Sequence, residues 1–96
     1  MDCEWDREKA KLNRSKHGVT FAEAASVFVD YFYVDFYDPK HSAEEHRFLI
    51  IGESNQTRLL IVSYTERDDK IRIISARELT PQERRIYEHG KFERRS

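Results

Sequence analysis

An α+β domain, with helices first and an antiparallel sheet after them, is the fold class this 96-residue chain predicts. Three observations carry that expectation. Residues 6–29 hold two helix-start signals and helix-forming composition. Residues 31–77 change to four runs of β-branched and aromatic residues, and the links between those runs are short enough to favour antiparallel neighbours. A chain of this length builds one modest core, so residues 1–96 are expected to form a single domain.

The elements follow in order. Asp6 can cap a helix over "REKAKLNRSKH", which ends at Gly18, a residue suited to the left-handed position after a helix. Its apolar face is thin, with Trp5 and Leu12 as the main candidates. "TFAE" is a capping box in which Thr20 is the cap and Glu23 reaches back, and Phe21, Ala24, Ala25 and Phe28 follow on one helical face. Four strands are expected in "YFYVDFYD", "RFLIIGES", "RLLIVSYTER" and "KIRIISAR", joined by "PKHSAEEH", "NQT" and the Asp68–Asp69 corner. "TPQE" is a second capping box, with proline at the first helical position, opening a short helix that Gly90 ends. The tail 91–96, "KFERRS", is expected to fray.

Two helices then cover one sheet face and leave the other partly open. Alternation puts Leu60, Val62 and Tyr64 on one side of the third strand and Ser63, Thr65 and Arg67 on the other. With a two-residue turn at Asp68–Asp69, Thr65 lies opposite Arg72. Arg77 has the opposite parity to Arg72, so both serve one site only if the last strand twists, bulges or ends early.

Charge divides along the chain. The formal net charge is −1, yet residues 1–46 hold six Lys/Arg against ten Asp/Glu, and residues 47–96 hold eleven against eight. A basic C-terminal half can present a cationic surface to a polyanion, although charged residues often do no more than solvate outer faces. There is no apolar run of membrane-spanning length and no signal-peptide core after "MDCEWDREKAK", so a cytoplasmic location without membrane contact is expected. The single cysteine, Cys3, has no internal disulfide partner.

The stretches "WDREKAKLNRSKHGVTFAEAASVF", "DPKHSAEEHR", "SYTERDDKIRIISAREL" and "ERRIYE" resemble, in order and spacing, the BrnT family of type II toxins. That resemblance covers nearly the whole chain. It implies a RelE-like fold, RNA cleavage without a metal or cofactor, and neutralisation by a DNA-binding antitoxin. The expected antitoxin is a BrnA-like ribbon-helix-helix protein, with two toxins on one antitoxin dimer and DNA contacted only through it. Glu44 stands where the family often has glycine, whereas Glu45 and Arg47 match.

Metal-free RNA cleavage needs a base for the ribose 2′-hydroxyl, cationic donors for the phosphorane-like transition state and an acid for the leaving oxygen. Arginine suits the second task, because its planar fork stays protonated and donates two hydrogen bonds to phosphate. Arg47, Arg67, Arg72, Arg77, Arg84 and Arg85, all in the basic half, are therefore candidates. Glu66, Arg67, Arg77 and Tyr87 are expected to be catalytic, and Arg47, Arg72, Arg84, Lys9 and Trp5 to bind RNA. Several have a structural alternative. Glu66 acts as base or orients an arginine, Tyr87 donates a proton or anchors its helix, and Trp5 stacks on a base or packs at the core rim. His17 is read as a cap on the carbonyl end of the first helix, and Lys16 as a possible RNA contact beside Lys9. Asp38, His41, Glu45 and His46 cluster in one loop but lack a second ligand group, so no metal site is expected. Two rival functions remain: a non-catalytic RNA- or protein-binding module on the same fold, and a helix-turn-helix DNA binder through residues 6–29. The second would offer DNA only Phe21, Ala22, Glu23 and Ala24 from its recognition helix.

Overall fold

The sheet begins earlier than the sequence predicts. In the computed structural model, which describes residues 2–95, Cys3–Trp5 forms a strand (β1) ahead of the first helix. The order is then α1 (Arg7–His17), α2 (Phe21–Ser26), a 3-10 turn (Val27–Val29), β2 (Val34–Tyr37), a second 3-10 turn (Pro39–His41), β3 (Arg47–Glu53), β4 (Leu59–Arg67), β5 (Lys70–Glu78) and α3 (Pro81–Arg95). Strands β2 to β5 form the expected antiparallel meander. Because β1 pairs in parallel with β5, the four-stranded antiparallel sheet is corrected to a five-stranded mixed one, ordered β1-β5-β4-β3-β2. Three residues carry too little periodicity to announce a strand; the open edge of β5 supplies the pairing.

The N-terminal helices form as their caps predict, but with different anchors. Asp6 accepts a hydrogen bond from the Lys9 N–H at 3.0 Å, and Gly18 adopts φ 68° while its N–H bonds the Arg14 carbonyl. Leu12, expected on the buried face, is exposed. Asn13 is buried instead. Its amide donates to the Val19 and Ala76 carbonyls at 3.0 and 2.9 Å and accepts from the Ala76 N–H at 3.0 Å. In α2 the Thr20 hydroxyl caps the Glu23 N–H at 3.1 Å, yet the Glu23 carboxylate turns inward to Arg58 and Ser54 rather than back to the cap. Val19, Phe21, Ala24 and Val27 then pack on Ile50, Leu60, Val62, Tyr64, Ile71, Ile73 and Ala76. Each large side chain so buried contributes about 1.5–3 kcal/mol. This packing also removes the helix-turn-helix reading, because Phe21, Glu23 and Ala24 face the core instead of a DNA groove.

Strand β2 starts at Val34 rather than residue 31, since Asp30 organises a turn there: its Oδ1 accepts from the Phe32 N–H at 3.1 Å. The last helix is longer than expected. Thr80 and Glu83 exchange capping hydrogen bonds at 3.2 and 2.9 Å, and α3 runs through Gly90 to Arg95. Gly90 is there for close approach, not termination: a Cβ at that position would lie 3.3 Å from Val34 Cγ2. Arg94 ties the following turn down by donating to the Tyr33 carbonyl at 3.0 Å, so 91–95 is helical rather than frayed; residue 96 lies outside the described residues.

Helix α3 covers one end of the second sheet face, where Ile51, Ile61 and Tyr87 form a smaller core with Phe32, Leu49, Leu59 and Leu79 against them. The rest of that face stays open.

Candidate active site on the open sheet face

Register decides which side chains reach the open face. Asp68 and Asp69, at φ 53° and 64°, make the tight turn of the β4–β5 hairpin, and Thr65 pairs with Arg72 as the sequence predicts. Ser63 pairs with Ser75 but Tyr64 with Ile73, so Ile74 is an extra residue and β5 bulges there. Beyond the bulge the parity is reversed. Arg77 falls opposite Ile61, on the same face as Arg72, Ser75, Ser63, Thr65 and Arg67. Arg47 and Leu49 of β3 join them through their pairing with Thr65 and Ser63.

A groove of about 420 Å³ lies on this face, and its walls include Arg47, Arg77, Lys40, His17, His41, Asp38, Glu83, Ser63 and Ser75. Arg77 donates to the two oxygens of Glu83 at 2.8 and 2.9 Å and to the Glu78 carbonyl at 3.1 Å. Those hydrogen bonds hold the Glu83 carboxyl below its ordinary value and push the Arg77 guanidinium above its own. Arg47 brings a buried Nε that has no protein acceptor among the described residues.

The loop from Asp38 to His46 resolves into pairs rather than one ligand cluster. Asp38 Oδ2 lies 2.9 Å from His41 Nδ1, Glu45 holds Arg67 at 3.0 Å, and His46 Nδ1 is 3.1 Å from the Tyr37 hydroxyl. At the hairpin end of the same face, Arg72 is paired with Glu4 of β1 at 2.8 Å.

Other predicted site residues lie elsewhere. Glu66 pairs with Ile71 and so faces the side opposite Arg67 and Arg77, beside Glu45, His46 and Phe48. Adjacent residues on a strand alternate, so Glu66, expected either as a base or as an orienter of an arginine, lies on the face away from Arg67 and Arg77. Tyr87 is buried, 3% exposed, and donates to Asp30 at 2.7 Å; burial first, then this bond, pushes its phenol well above the ordinary value. Of its two expected roles, proton donor or helix anchor, this setting supports the anchor of α3. Arg84 does share a cleft with Tyr87, but that cleft is a separate one lined by Glu53, Arg58, Glu78 and Glu88. Trp5 packs edge-on against Phe21 at 6.1 Å, beside Arg7, Lys11 and Arg14, on the helix-covered side. Lys9 and Lys16 flank His17 in a shallow cleft that adjoins the groove at Ile74 and Ser75.

Sequence reasoning did not place His17, Lys40, Asp38 and His41 around one groove. The three-residue spacing of Asp38 and His41 is visible in the sequence, but not its position beside β3.

Comparison with known proteins agrees with this architecture. A crystal structure of the ribonuclease toxin BrnT from Brucella abortus is similar, with a TM-score of 0.62 and 25% sequence identity over 83% of this chain and 97% of that one. No curated protein matches the chain. The family model for the ribonuclease toxin BrnT of type II toxin-antitoxin systems matches residues 5–83, a span holding every groove residue named above. The chain therefore belongs to the BrnT family of ribonuclease toxins.

Proposed function

We propose that this chain is a metal-independent endoribonuclease that cuts RNA, messenger RNA in the cell, by attack of the ribose 2′-hydroxyl. The observation that carries the reading is the bulge at Ile74, which brings Arg77 to the face already occupied by Arg47, Arg67 and Arg72. A phosphorane gathers negative charge on its non-bridging oxygens, and fixed guanidinium groups stabilise that charge without the reorganisation water would need. Glu4, Glu45 and Glu83 hold three of the four guanidiniums in place while leaving N–H donors over. Arg47 and Arg77 line the groove and take the scissile phosphate. Arg67 and Arg72 lie further along the face and engage neighbouring phosphates.

The restraining partner is a BrnA-like ribbon-helix-helix antitoxin, in a complex of two toxins and two antitoxins. Membership of a type II toxin-antitoxin family supports the partner, and the open arginine face is the surface where carboxylates from it would block RNA. Purified protein should cut RNA in EDTA, leave 2′,3′-cyclic or 3′-phosphate ends, spare DNA, and lose this activity when the antitoxin is added. Cleavage that stops with chelator and returns with a divalent ion refutes the metal-independent mechanism.

A further inference from the structure

Attack by a ribose 2′-hydroxyl requires a group that takes its proton. The carboxylates near the arginines are committed. Glu83 has both oxygens on Arg77 and also accepts from the Thr80 N–H at 2.9 Å, Glu45 holds Arg67, and Glu66 faces the other side of the sheet. Lys40 and the arginines are cations. Two imidazoles remain on the groove wall, His17 and His41.

Their settings differ. The Asp38 side chain is 12% exposed and that of His41 is 63% exposed, so a sheltered carboxylate holds an imidazole that stays open to the groove. With Nδ1–H donating to Asp38, the lone pair of the neutral ring is on Nε2, the atom free to accept a proton. The contact is not required to close the loop. Asp38 N–H donates to the Arg47 carbonyl at 2.9 Å, and the Ser42 hydroxyl donates to the Asp38 carbonyl at 2.6 Å while accepting from the Arg47 N–H at 3.0 Å. These three bonds staple the loop to β3 independently and fix the carboxylate that orients the ring. His17, at the carbonyl end of α1, has no carboxylate partner among the described residues.

We propose that His41, positioned by Asp38, is the general base of the reaction, an assignment that rests on the ribonuclease activity proposed for this groove. His41 Nε2 takes the 2′-hydroxyl proton as the 2′-oxygen forms a bond to phosphorus and the bond to the 5′-oxygen breaks. The departing 5′-oxygen takes a proton from water, and the His41 imidazolium returns its proton to solvent. The products are a 2′,3′-cyclic phosphate and a 5′-hydroxyl.

The test uses the full chain on an RNA oligonucleotide, and on the same oligonucleotide with sulfur replacing the bridging 5′-oxygen at a cleaved linkage. That thiolate leaves without a proton. His41→Asn should lower kcat by about 100- to 10,000-fold on both substrates, because a missing base is not compensated by a better leaving group. Asp38→Asn should lower kcat less and leave KM unchanged, and added imidazole should restore cleavage to His41→Gly. The assignment is overturned if the sulfur substrate returns His41→Asn to the unsubstituted rate, which would make His41 an acid. It is also overturned if His41→Asn cuts normally while His17→Asn does not. Unsubstituted protein that leaves RNA intact would refute the ribonuclease reading itself and this assignment with it. An active parent and an equally active His41→Asn refute the assignment alone.

Discussion

Replacing Arg77 with alanine separates two tasks performed by one guanidinium. Structurally, Arg77 grips both oxygens of Glu83, and Glu83 closes the capping box of α3 through the Thr80 N–H. The Arg77 and Glu83 side chains are 41% and 20% exposed, so the pair lies between a solvated contact and a buried one. Exposed pairs contribute about 0.2–1 kcal/mol and charged hydrogen bonds in sheltered places about 1.5–3 kcal/mol. Solvent access to the guanidinium sets the loss nearer the first, at about 1 kcal/mol, which for a domain of this size lowers the thermal midpoint by about 4–8 °C. Catalytically, removing a donor to the transition-state charge should slow RNA cleavage by about 100- to 1,000-fold. Domains are ordinarily stable by about 5–15 kcal/mol, so a loss of that size leaves nearly every molecule folded at 25 °C and unfolding does not explain the rate.

Glu83→Gln supplies the contrast. It weakens the ion pair and lowers the midpoint by a similar amount, but it keeps Arg77, and glutamine still serves a capping box. Cleavage by Glu83→Gln should stay within about tenfold of the unsubstituted protein, a much smaller loss than removal of the donor itself. Rates measured at 25 °C beside thermal midpoints decide the matter. Equal rate losses in the two variants, or an active Arg77→Ala, would show that Arg77 acts through the fold and not on the phosphate.

Two further outcomes are expected. Tyr87→Phe removes the bond to Asp30 and should cost about 1–2 kcal/mol while leaving RNA cleavage intact; lost cleavage at an unchanged midpoint would return the phenol to the site. The Glu23 carboxyl is held below its reference value of 4.5 chiefly by the hydrogen bond from Arg58, with Ser54 adding to it against the opposing effect of burial. Its contribution to stability is therefore fully present above about pH 4.5 and is lost as the pH falls through the lowered folded value. Urea unfolding between pH 7 and pH 2 should show this loss, shared with Glu83. Glu23→Gln should flatten the acid limb and, by leaving Arg58 without its buried partner, cost about 2–3 kcal/mol at pH 7. An acid limb unchanged in Glu23→Gln contradicts the account.

Local chemistry made much of the fold legible. Asp6, Gly18, Thr20 and Thr80 mark their helix ends because capping involves neighbours within a few residues, and the Asp68–Asp69 turn sets the Thr65–Arg72 pairing for the same reason. What stayed hidden depends on distant partners. Gly90 reads as a helix stop until Val34 packs beneath it, and "CEW" is too short to read as a strand until β5 pairs with it. Glu23 reads as a capping residue, but Arg58 and Ser54, more than thirty residues away, claim its carboxylate. The site was legible in residue type and only partly in geometry. Arg67 and Arg72 could be placed on one face, whereas the place of Arg77, the turning away of Glu66 and the burial of Tyr87 required the bulge of β5, the register of β4 and the seat of α3.

The bulge at Ile74 connects those two levels, and its cause can be found in the strand itself. In "KIRIISARE" the residues facing the helices are Ile71, Ile73 and Ala76, a spacing of two and then three, while Arg72, Ser75 and Arg77 are spaced three and then two. Strict alternation after Ile73 would put Arg77 beneath α1 and α2 and turn Ala76 outward. Burying a guanidinium there without a partner costs several kcal/mol, so the hydrophobic pattern favours the extra residue. The edge partner changes at the same point: β1 pairs with β5 as far as Ile73, and the Asn13 amide takes both backbone groups of Ala76. Asn13 therefore offers Ala76 the pairing a strand would give, in the register that only the bulged form presents. The arrangement that keeps Arg77 out of the core thus also sets it on the same groove wall as Arg47, and the stability of the bulge and the assembly of the arginine face have the same origin.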